Sequence, residues 1–260
     1  MPLLGDLYYT HSGRRVSGRP ALVLIHGEGG THLDWPVALR RLPGEAVYAL
    51  DLPGHGKSGG VGRQSVEDYA GAVLKWLKAG QLDKVVLAGH SLGGAIALSL
   101  ALTAPGRAAG LVLAGAGARL KVSPEALKAS RSEGAFPQAV AMLIEGAFGP
   151  APPARLVQAV RQRMLATRPP VLHGDLLACG RFELPEAIAS VLVPTLVIAG
   201  AADRWLPDRY VRDLAERIAG AVLVTVPGAG HFVMLEQPQA VAAAIENFLR
   251  RYWGEVEDGG

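Results

Sequence analysis

Six short apolar runs, rich in Val, Leu and Ile, stand out along the chain. Runs of this length that end at glycine or at a charged turn predict strands buried on both faces. They cover Ala21–His26, Ala46–Leu52, Lys84–Gly89, Gly110–Ala114, Thr195–Gly200 and Ala221–Val226. We therefore expect one sheet whose strands lie in the interior of the domain.

Helical periodicity fills the stretches between these strands. In Ser65–Lys78 the apolar residues recur three and four positions apart, which predicts a helix with one face on the sheet. Residues 92–102 are apolar nearly all round and predict a deeply buried helix, while Val241, Ile245 and Phe248 mark one face of a terminal helix. Strands and helices that alternate in this way predict an α/β domain with a parallel sheet covered on both faces.

The pattern changes between about residues 119 and 187, where strand-like runs disappear and helix signals replace them. Ser123 and Pro124 supply an N-cap and a first-turn proline, and further helical pieces are predicted at 137–148 and 154–167. The simplest organisation is one α/β domain with a helical insertion. We place the core at 1–116 and 188–260 and the insertion at 117–187, and we expect the last residues, Glu255–Gly260, to be frayed.

The composition excludes several classes of protein. The chain has 260 residues and a net charge of +3, and its basic residues are scattered, so no nucleic-acid-binding surface is indicated. One cysteine excludes a disulfide framework and a cysteine-rich zinc site, and the histidine spacing offers no metal-ligand motif. The first residues lack the regions of a secretory signal, and glycines interrupt the longest apolar stretch, Val85–Ala104. We therefore expect a cytoplasmic protein that does not cross a membrane.

The segment Gly89-His90-Ser91-Leu92-Gly93 matches the pattern Gly-x-Ser-x-Gly and lies between a predicted strand and a predicted helix. A sharp turn there would lift the hydroxyl of Ser91 above the edge of the sheet, and the flanking glycines allow the tight backbone packing of such a turn. A serine hydroxyl becomes an effective nucleophile only when a nearby base takes its proton. Ser91 is therefore the candidate nucleophile, and it requires a histidine.

Asp203 and His231 follow the last two predicted strands, in loops at the sheet edge where Ser91 is expected. A histidine that acts as a base is held in one tautomer by a carboxylate. Asp208 and Asp213 compete for that role, but both are expected on the helix after the strand. We therefore predict His231 as the general base and Asp203 as the carboxylate that orients it.

Residues 26–30, with the sequence His-Gly-Glu-Gly-Gly, end the first apolar strand. Acyl transfer needs two N–H groups aimed at the oxygen that becomes negative, and we expect these to be the amides of Glu28 and Leu92. A carboxylate at this point would oppose the oxyanion. We therefore expect the Glu28 side chain to turn away, to be protonated, or to pair with an arginine of the insertion.

Together these motifs resemble the α/β-hydrolase superfamily, in its small cap-bearing branch of esterases and related serine hydrolases. The matching pieces run through the chain in family order: His26–Gly30, Asp51–Ser58, Gly89–Gly94, Gly200–Asp203 and Gly230–Phe232. The resemblance implies an eight-stranded, mostly parallel sheet whose first hairpin is formed by Leu7–His11 and Arg14–Ser17. It also implies that the insertion is a lid over the serine.

The reaction that these residues favour is hydrolysis of a carboxylic ester through an acyl-enzyme, with no metal or organic cofactor. Apolar side chains in and near the insertion favour a small-molecule ester with a small to medium acyl group. The candidate substrate contacts are Trp35, Phe136, Leu143, Phe148, Trp205 and Phe232. The oligomeric state is left open between a monomer and a homodimer.

Two other functions fit the same motifs. A carbon–carbon bond hydrolase of ring-fission products would use the same serine, with Trp35, Arg204 and Trp205 around the substrate carboxylate. A ligand sensor would keep the fold and the three side chains but would turn over very slowly. The fold alone does not separate these functions, because function depends on the site.

Overall fold

The structure is a computed structural model that describes residues 3–254. Met1, Pro2 and the segment Glu255–Gly260, which was predicted to be frayed, lie outside the described residues. Between Leu3 and Gly254, none of the helices combines the length and the apolar character needed to cross a membrane.

Eight strands form one sheet. They are β1 Leu3–Leu4, β2 Leu7–Ser12, β3 Ala21–Ile25, β4 Val47–Leu50, β5 Val85–His90, β6 Ala108–Ala114, β7 Thr195–Gly200 and β8 Val222–Val226. Their order across the sheet is β1-β2-β4-β3-β5-β6-β7-β8. The pairs β1–β2 and β2–β4 are antiparallel, and the other five pairs are parallel. The predicted eight-stranded, mostly parallel sheet is therefore confirmed.

Helices connect the strands and cover the sheet. They are α1 Val37–Arg40, α2 Val66–Ala79, α3 Leu92–Thr103, α4 Pro124–Ala129, α5 Phe136–Ile144, α6 Ala154–Ala166, α7 Pro169–Arg181, α8 Asp208–Arg217, α9 Val233–Glu236 and α10 Pro238–Trp253. Short 3₁₀ turns complete the connections at His32–Asp34, Pro105–Arg107 and Glu186–Ser190.

The two faces of the sheet bury alternate residues of each strand. In β3, Val23 and Ile25 join the core layer that packs under α2, α3 and α8, whereas Leu22 and Leu24 join the layer under α1, α9 and α10. All five residues of β3 are buried. Burial on both faces explains why the strands appear in the sequence as continuous apolar runs rather than as alternating ones.

The six predicted strands are all present, with ends that differ by at most two residues. The first predicted helix is also present, because Ser65 is its N-cap and the Ser65 hydroxyl accepts a hydrogen bond from the Asp68 N–H at 3.2 Å. Helix α3 is buried along most of its length, as its uniformly apolar sequence predicted. Periodicity and capping chemistry thus define the core of the fold.

The prediction for the first hairpin is wrong in part. Residues 14–17 form no strand, and the partner of β2 at the sheet edge is the short strand β1, with Leu3 opposite Tyr8 and Leu4 opposite Leu7. The tight turn between them includes Gly5 at φ 59°, a conformation that glycine adopts without steric cost. The first hairpin is therefore formed by β1 and β2 through this turn, one strand earlier in the chain than the resemblance implied.

Helices α4 to α7 lie between β6 and β7, where helix signals replaced strand signals in the sequence. An isolated antiparallel bridge between Arg119 and Glu183 joins the two ends of this stretch. We refer to residues 117–187 as the insertion. Its boundaries and its independence from the core stay predictions.

Candidate active site

The backbone of Ser91 is strained. It has φ 50° and ψ −114° between β5 and α3, a conformation that costs a non-glycine residue roughly 1–3 kcal/mol. The turn is held because the Ser91 N–H donates to the Ala114 carbonyl at 3.0 Å. A Cβ at Gly93 would overlap the carbonyl oxygen of Ile25, so the glycine is what allows α3 to pack this closely against the end of β3. The strand-to-helix turn expected for a nucleophile is present.

Asp203 and His231 are brought together by the ends of β7 and β8. The Asp203 Oδ2 and the His231 Nδ1 lie 2.8 Å apart, and both side chains are buried. The other oxygen of Asp203 accepts from the N–H groups of Trp205 at 2.8 Å and Leu206 at 2.9 Å. The backbone N–H of His231 donates to the Ala147 carbonyl at 2.7 Å, and this bond fixes the loop that carries His231.

The electrostatics of this pair favour charge separation. Burial works against an ionised Asp203, but the charge and hydrogen bond of His231, with the two N–H groups, lower the pKa of the carboxyl overall. Burial likewise opposes a charged His231, yet Asp203 and then Glu28 raise the pKa of the imidazole. The Nε2 of His231 is buried and has no hydrogen-bond partner among residues 3–254. With Nδ1 committed to Asp203, Nε2 is the nitrogen available to take a proton.

The competing candidates lie elsewhere. Asp208 and Asp213 are on α8, as predicted, and pair with Arg212 and Arg217 on the same helix. His90 is next to Ser91 in sequence, but its Nε2 lies 3.0 Å from the His231 carbonyl, and burial lowers its pKa to about 3. A neutral imidazole that is bonded to the backbone has a structural role.

The two expected oxyanion donors lie at adjacent strand ends. Strands β3 and β5 are paired with Ile25 opposite Gly89, so the loop that carries Glu28 begins beside the turn that carries Ser91. Leu92 is the first residue of α3, where a helix leaves its N–H without an internal partner. Within the described part of the chain, no other residue accepts a hydrogen bond from the N–H of Glu28 or of Leu92.

The Glu28 side chain lies in the site. It is 6% exposed and lines the same cavity as Ser91 and His231. Burial raises the pKa of the carboxyl, and the nearby charge of His231 partly opposes that shift. Glu28 forms no salt bridge with an arginine among the described residues. Two of the three expected arrangements, turning away and pairing with the insertion, are therefore not observed.

The cavity around these side chains is small. Its volume of about 10 Å³ is enough for about one water molecule. Its lining residues are Glu28, Ser91, Leu120, Lys121, Val122, Leu176, Cys179, Trp205, Leu206 and His231. A second pocket, of about 400 Å³, shares Lys121, Val122 and Trp205 with it and opens outward between α4, α5 and Arg204. Trp205 therefore separates an inner site from an outer pocket.

Most of the predicted substrate contacts do not reach the cavity. Trp35 is fully buried in the core layer under α10, and Phe136 packs in the same layer. Phe148 and Phe232 stack on each other with ring centroids 5.1 Å apart. Leu143 lines the outer pocket, and of the six predicted contacts only Trp205 lines both. The set of Trp35, Arg204 and Trp205 that a carbon–carbon bond hydrolase would use is not assembled.

A buried carboxylate from the insertion was missed by the sequence analysis. Asp175 on α7 accepts from the Gly29 N–H at 2.9 Å, from His55 Nε2 at 2.8 Å and from the Tyr69 hydroxyl. The charge of Asp175 raises the pKa of His55 although burial lowers it. Because Gly29 follows Glu28, this carboxylate ties the insertion to the loop that carries the expected oxyanion donor.

A signal for Asp175 exists in the sequence of α7. Leu172, Asp175, Leu176 and Cys179 are spaced three and four apart and are all buried, so they form one face of the helix. An acid on an otherwise apolar face needs buried partners, because an isolated charge is costly there. The sequence did not identify those partners, since they are more than a hundred residues away.

Glu236 was also missed. Its two oxygens accept from the Gly230 N–H at 2.9 Å and from the Gly149 N–H at 2.7 Å. It therefore fixes the loop before His231 and fastens that loop to the insertion. Nothing in the sequence around Glu236 distinguishes its half-buried carboxylate from that of an acid on the surface of a helix.

Comparisons with known proteins fit this geometry. A sequence model described as "Alpha/beta hydrolase family" matches residues 22–244. The pimeloyl-[acyl-carrier protein] methyl ester esterase of Pectobacterium carotovorum subsp. carotovorum (strain PC1) is 28% identical over 261 positions, which cover 95% of this chain and 100% of that protein. A thermophilic esterase from Thermogutta terrifontis superposes with a TM-score of 0.83 at 26% identity, covering 95% of this chain and 94% of the other. A further thermophilic esterase gives 0.79 at 35% identity, with 95% and 98% covered.

The Asp175 contacts lead to a stability prediction. Asp175→Ala leaves three buried donors without their acceptor, so we expect the free energy of unfolding to fall by about 3–5 kcal/mol in denaturant titration. Asp175→Asn, which keeps one acceptor oxygen, should lose less. Asp213→Ala, which removes an exposed carboxylate from α8, is the matched control and should change stability little. Equal losses at 175 and 213 would contradict the anchoring role.

Proposed function

Because the chain belongs to the alpha/beta hydrolase family and is a hydrolase acting on ester bonds, we propose that it is a carboxylesterase whose catalytic triad is Ser91, His231 and Asp203. The observation that supports this most strongly is that His231, held by a buried 2.8 Å contact with Asp203, lines the same small cavity as the strained Ser91. This combination supports a nucleophile, a base with one free nitrogen and a carboxylate that holds the base.

Acylation would follow from these roles. The Ser91 hydroxyl oxygen attacks the ester carbonyl carbon, and its proton moves to Nε2 of His231. The negative charge that forms on the carbonyl oxygen accepts hydrogen bonds from the N–H groups of Glu28 and Leu92. Asp203 stabilises the imidazolium. The intermediate then collapses, and the leaving alkoxide takes the proton from Nε2 and departs as the alcohol.

Deacylation would repeat the sequence with water. A water molecule attacks the acyl carbon and passes one proton to Nε2 of His231. The second tetrahedral intermediate expels the Ser91 oxygen, which recovers that proton. The products are a carboxylic acid and the free enzyme, so each turnover consumes one ester and one water.

We further propose that the insertion, residues 117–187, acts as the lid of this site. The inner cavity is too small for an ester, and Leu120, Lys121, Val122, Leu176 and Cys179 of the insertion line it. The outer pocket of about 400 Å³ lies beside it and is lined by apolar side chains that include Val122, Met142 and Leu143. A small to medium acyl chain fits that volume.

Ester hydrolysis is the direct test. We expect p-nitrophenyl esters with acyl chains of two to twelve carbons to be cleaved with a maximum at one chain length, because the outer pocket is bounded. Ser91→Ala should reduce turnover by at least about 10³-fold. The variant should still be folded, as shown by a cooperative thermal unfolding transition. Release by the wild type that is no faster than release by Ser91→Ala would rule the proposal out and favour a sensor that binds without turnover.

The pH profile tests the assignment of the base. His231 accepts a proton only when neutral, so kcat/KM should fall as the pH decreases through the His231 pKa, which lies above the usual 6.5. Asp203→Asn removes the carboxylate that raises this pKa, so the acid limb should move to lower pH, and kcat should drop by about 10³–10⁴-fold. Asp213→Asn on α8 serves as the control and should alter neither. An acid limb that stays in place in Asp203→Asn would show that another group titrates.

A further inference from the structure

Glu28 carries a buried polar group in the inner cavity that the proposed reaction does not use. The backbone of Glu28 supplies an oxyanion donor, but its side chain has no part in the acyl-transfer steps. The carboxyl lines the inner cavity with Ser91 and His231, and its Oε2 is buried without a hydrogen-bond partner among residues 3–254. A buried acceptor without a donor is costly, so its retention at this point indicates a partner that comes from outside the protein.

The protein itself offers that oxygen little. The Ser91 hydroxyl and the Glu28 N–H lie close enough to favour the charged carboxyl, but both are committed during the reaction. Lys121 also lines the cavity, but its side chain is exposed and forms no salt bridge with Glu28 in the part of the chain that the structure describes. Among the other lining side chains, Leu176 and Leu206 are apolar, and the thiol of Cys179, which the charge of Glu28 reaches, is only a weak donor. The donor must therefore belong to the molecule that fills the cavity.

The chain connectivity limits where this donor can be. The N–H of Glu28 faces the carbonyl oxygen of the ester in the proposed mechanism, and the carboxyl is attached to the same residue through a short side chain. If the carbonyl oxygen of the ester contacts the Glu28 N–H, a hydrogen-bond donor that reaches the Glu28 carboxyl is therefore carried on the substrate within one or two atoms of the carbonyl carbon. In an ester, that position is the α-carbon of the acyl group.

We propose that the Glu28 side chain is a specificity-determining residue that accepts a hydrogen bond from an amino or hydroxyl group on the α-carbon of the acyl group. The preferred substrates are then esters of α-amino or α-hydroxy acids. This inference rests on the proposed esterase function. An ammonium group is the stronger partner, because it adds the attraction between opposite charges to the hydrogen bond that a hydroxyl also donates to the carboxylate. A purely alkyl acyl group leaves Oε2 unpaired and is disfavoured.

Three methyl esters of nearly equal shape test the proposal. Those of alanine, lactate and isobutyrate carry an ammonium, a hydroxyl and a methyl group, respectively, at the same position. For the wild type we expect kcat/KM to decrease in that order. Because the esters differ in intrinsic reactivity, the decisive quantity is the alanine-to-isobutyrate ratio, compared between the wild type and variants.

Glu28→Leu should lower this ratio by about tenfold to hundredfold, since it removes the acceptor and the penalty for an alkyl group together. Glu28→Gln, which keeps a neutral acceptor, should lose preference for the alanine ester more than for the lactate ester. It replaces Glu28→Leu in the comparison if the Leu variant does not fold. Glu216→Leu changes an exposed glutamate on α8 in the same way and is the matched control.

The possible outcomes separate the two proposals. A ratio that is the same in the wild type, Glu28→Leu and Glu28→Gln, while hydrolysis still depends on Ser91, overturns the role of Glu28 and leaves the esterase function standing. Absence of Ser91-dependent hydrolysis of these esters and of all the p-nitrophenyl esters overturns both. A ratio that falls in both Glu28 variants but not in Glu216→Leu supports the inference.

Discussion

The buried carboxylate of Asp175 is the contact on which the arrangement of the site depends. It comes from the insertion, yet its three partners belong to the core: the Gly29 backbone, His55 and Tyr69. Such a group stabilises a fold only if all its hydrogen bonds are made, because an unpaired buried charge is strongly unfavourable. The insertion and the loop that carries Glu28 therefore hold one another in place, and the geometry of the proposed oxyanion donors is linked to the position of α7.

A second constraint concerns the two carboxyl groups near His231. Asp203 is bonded to Nδ1 and to two backbone N–H groups, so it is stabilised as a carboxylate. The Oε2 of Glu28 has no hydrogen-bond partner among residues 3–254, and burial raises the pKa of the carboxyl, although the charge of His231 and the nearby Ser91 hydroxyl oppose that shift. Two acids of the same chemistry thus have pKa values shifted in opposite directions because their surroundings differ. The proposed triad uses the first, and the proposed selection of substrate uses the second.

The core and the positions of the three side chains of the proposed triad could be predicted because local sequence carries the necessary information. Ser91, Asp203 and His231 each follow an apolar strand, and parallel strands bring their carboxyl ends to one edge. The substrate contacts could not be predicted in the same way. An aromatic residue such as Trp35 or Phe148 shows only that some face is apolar, and whether that face meets the core or a cavity depends on how distant helices pack. Asp175 was missed for the same reason, since its partners lie far away in the chain.

The small inner cavity has a kinetic consequence for the proposed function. An inner space of about 10 Å³ cannot admit an ester, so an esterase of this kind binds substrate only in a conformation in which the proposed lid has opened. The apparent dissociation constant then equals the intrinsic one divided by the fraction of molecules that are open. Asp175 holds α7 and Glu236 holds the loop at Gly149, so the proposed opening would involve the part of the insertion around α4 and α5, next to Trp205. Substitutions there that change only the open fraction thereby change the affinity for every substrate by the same factor, whereas the bounded outer pocket and the inner site discriminate between substrates.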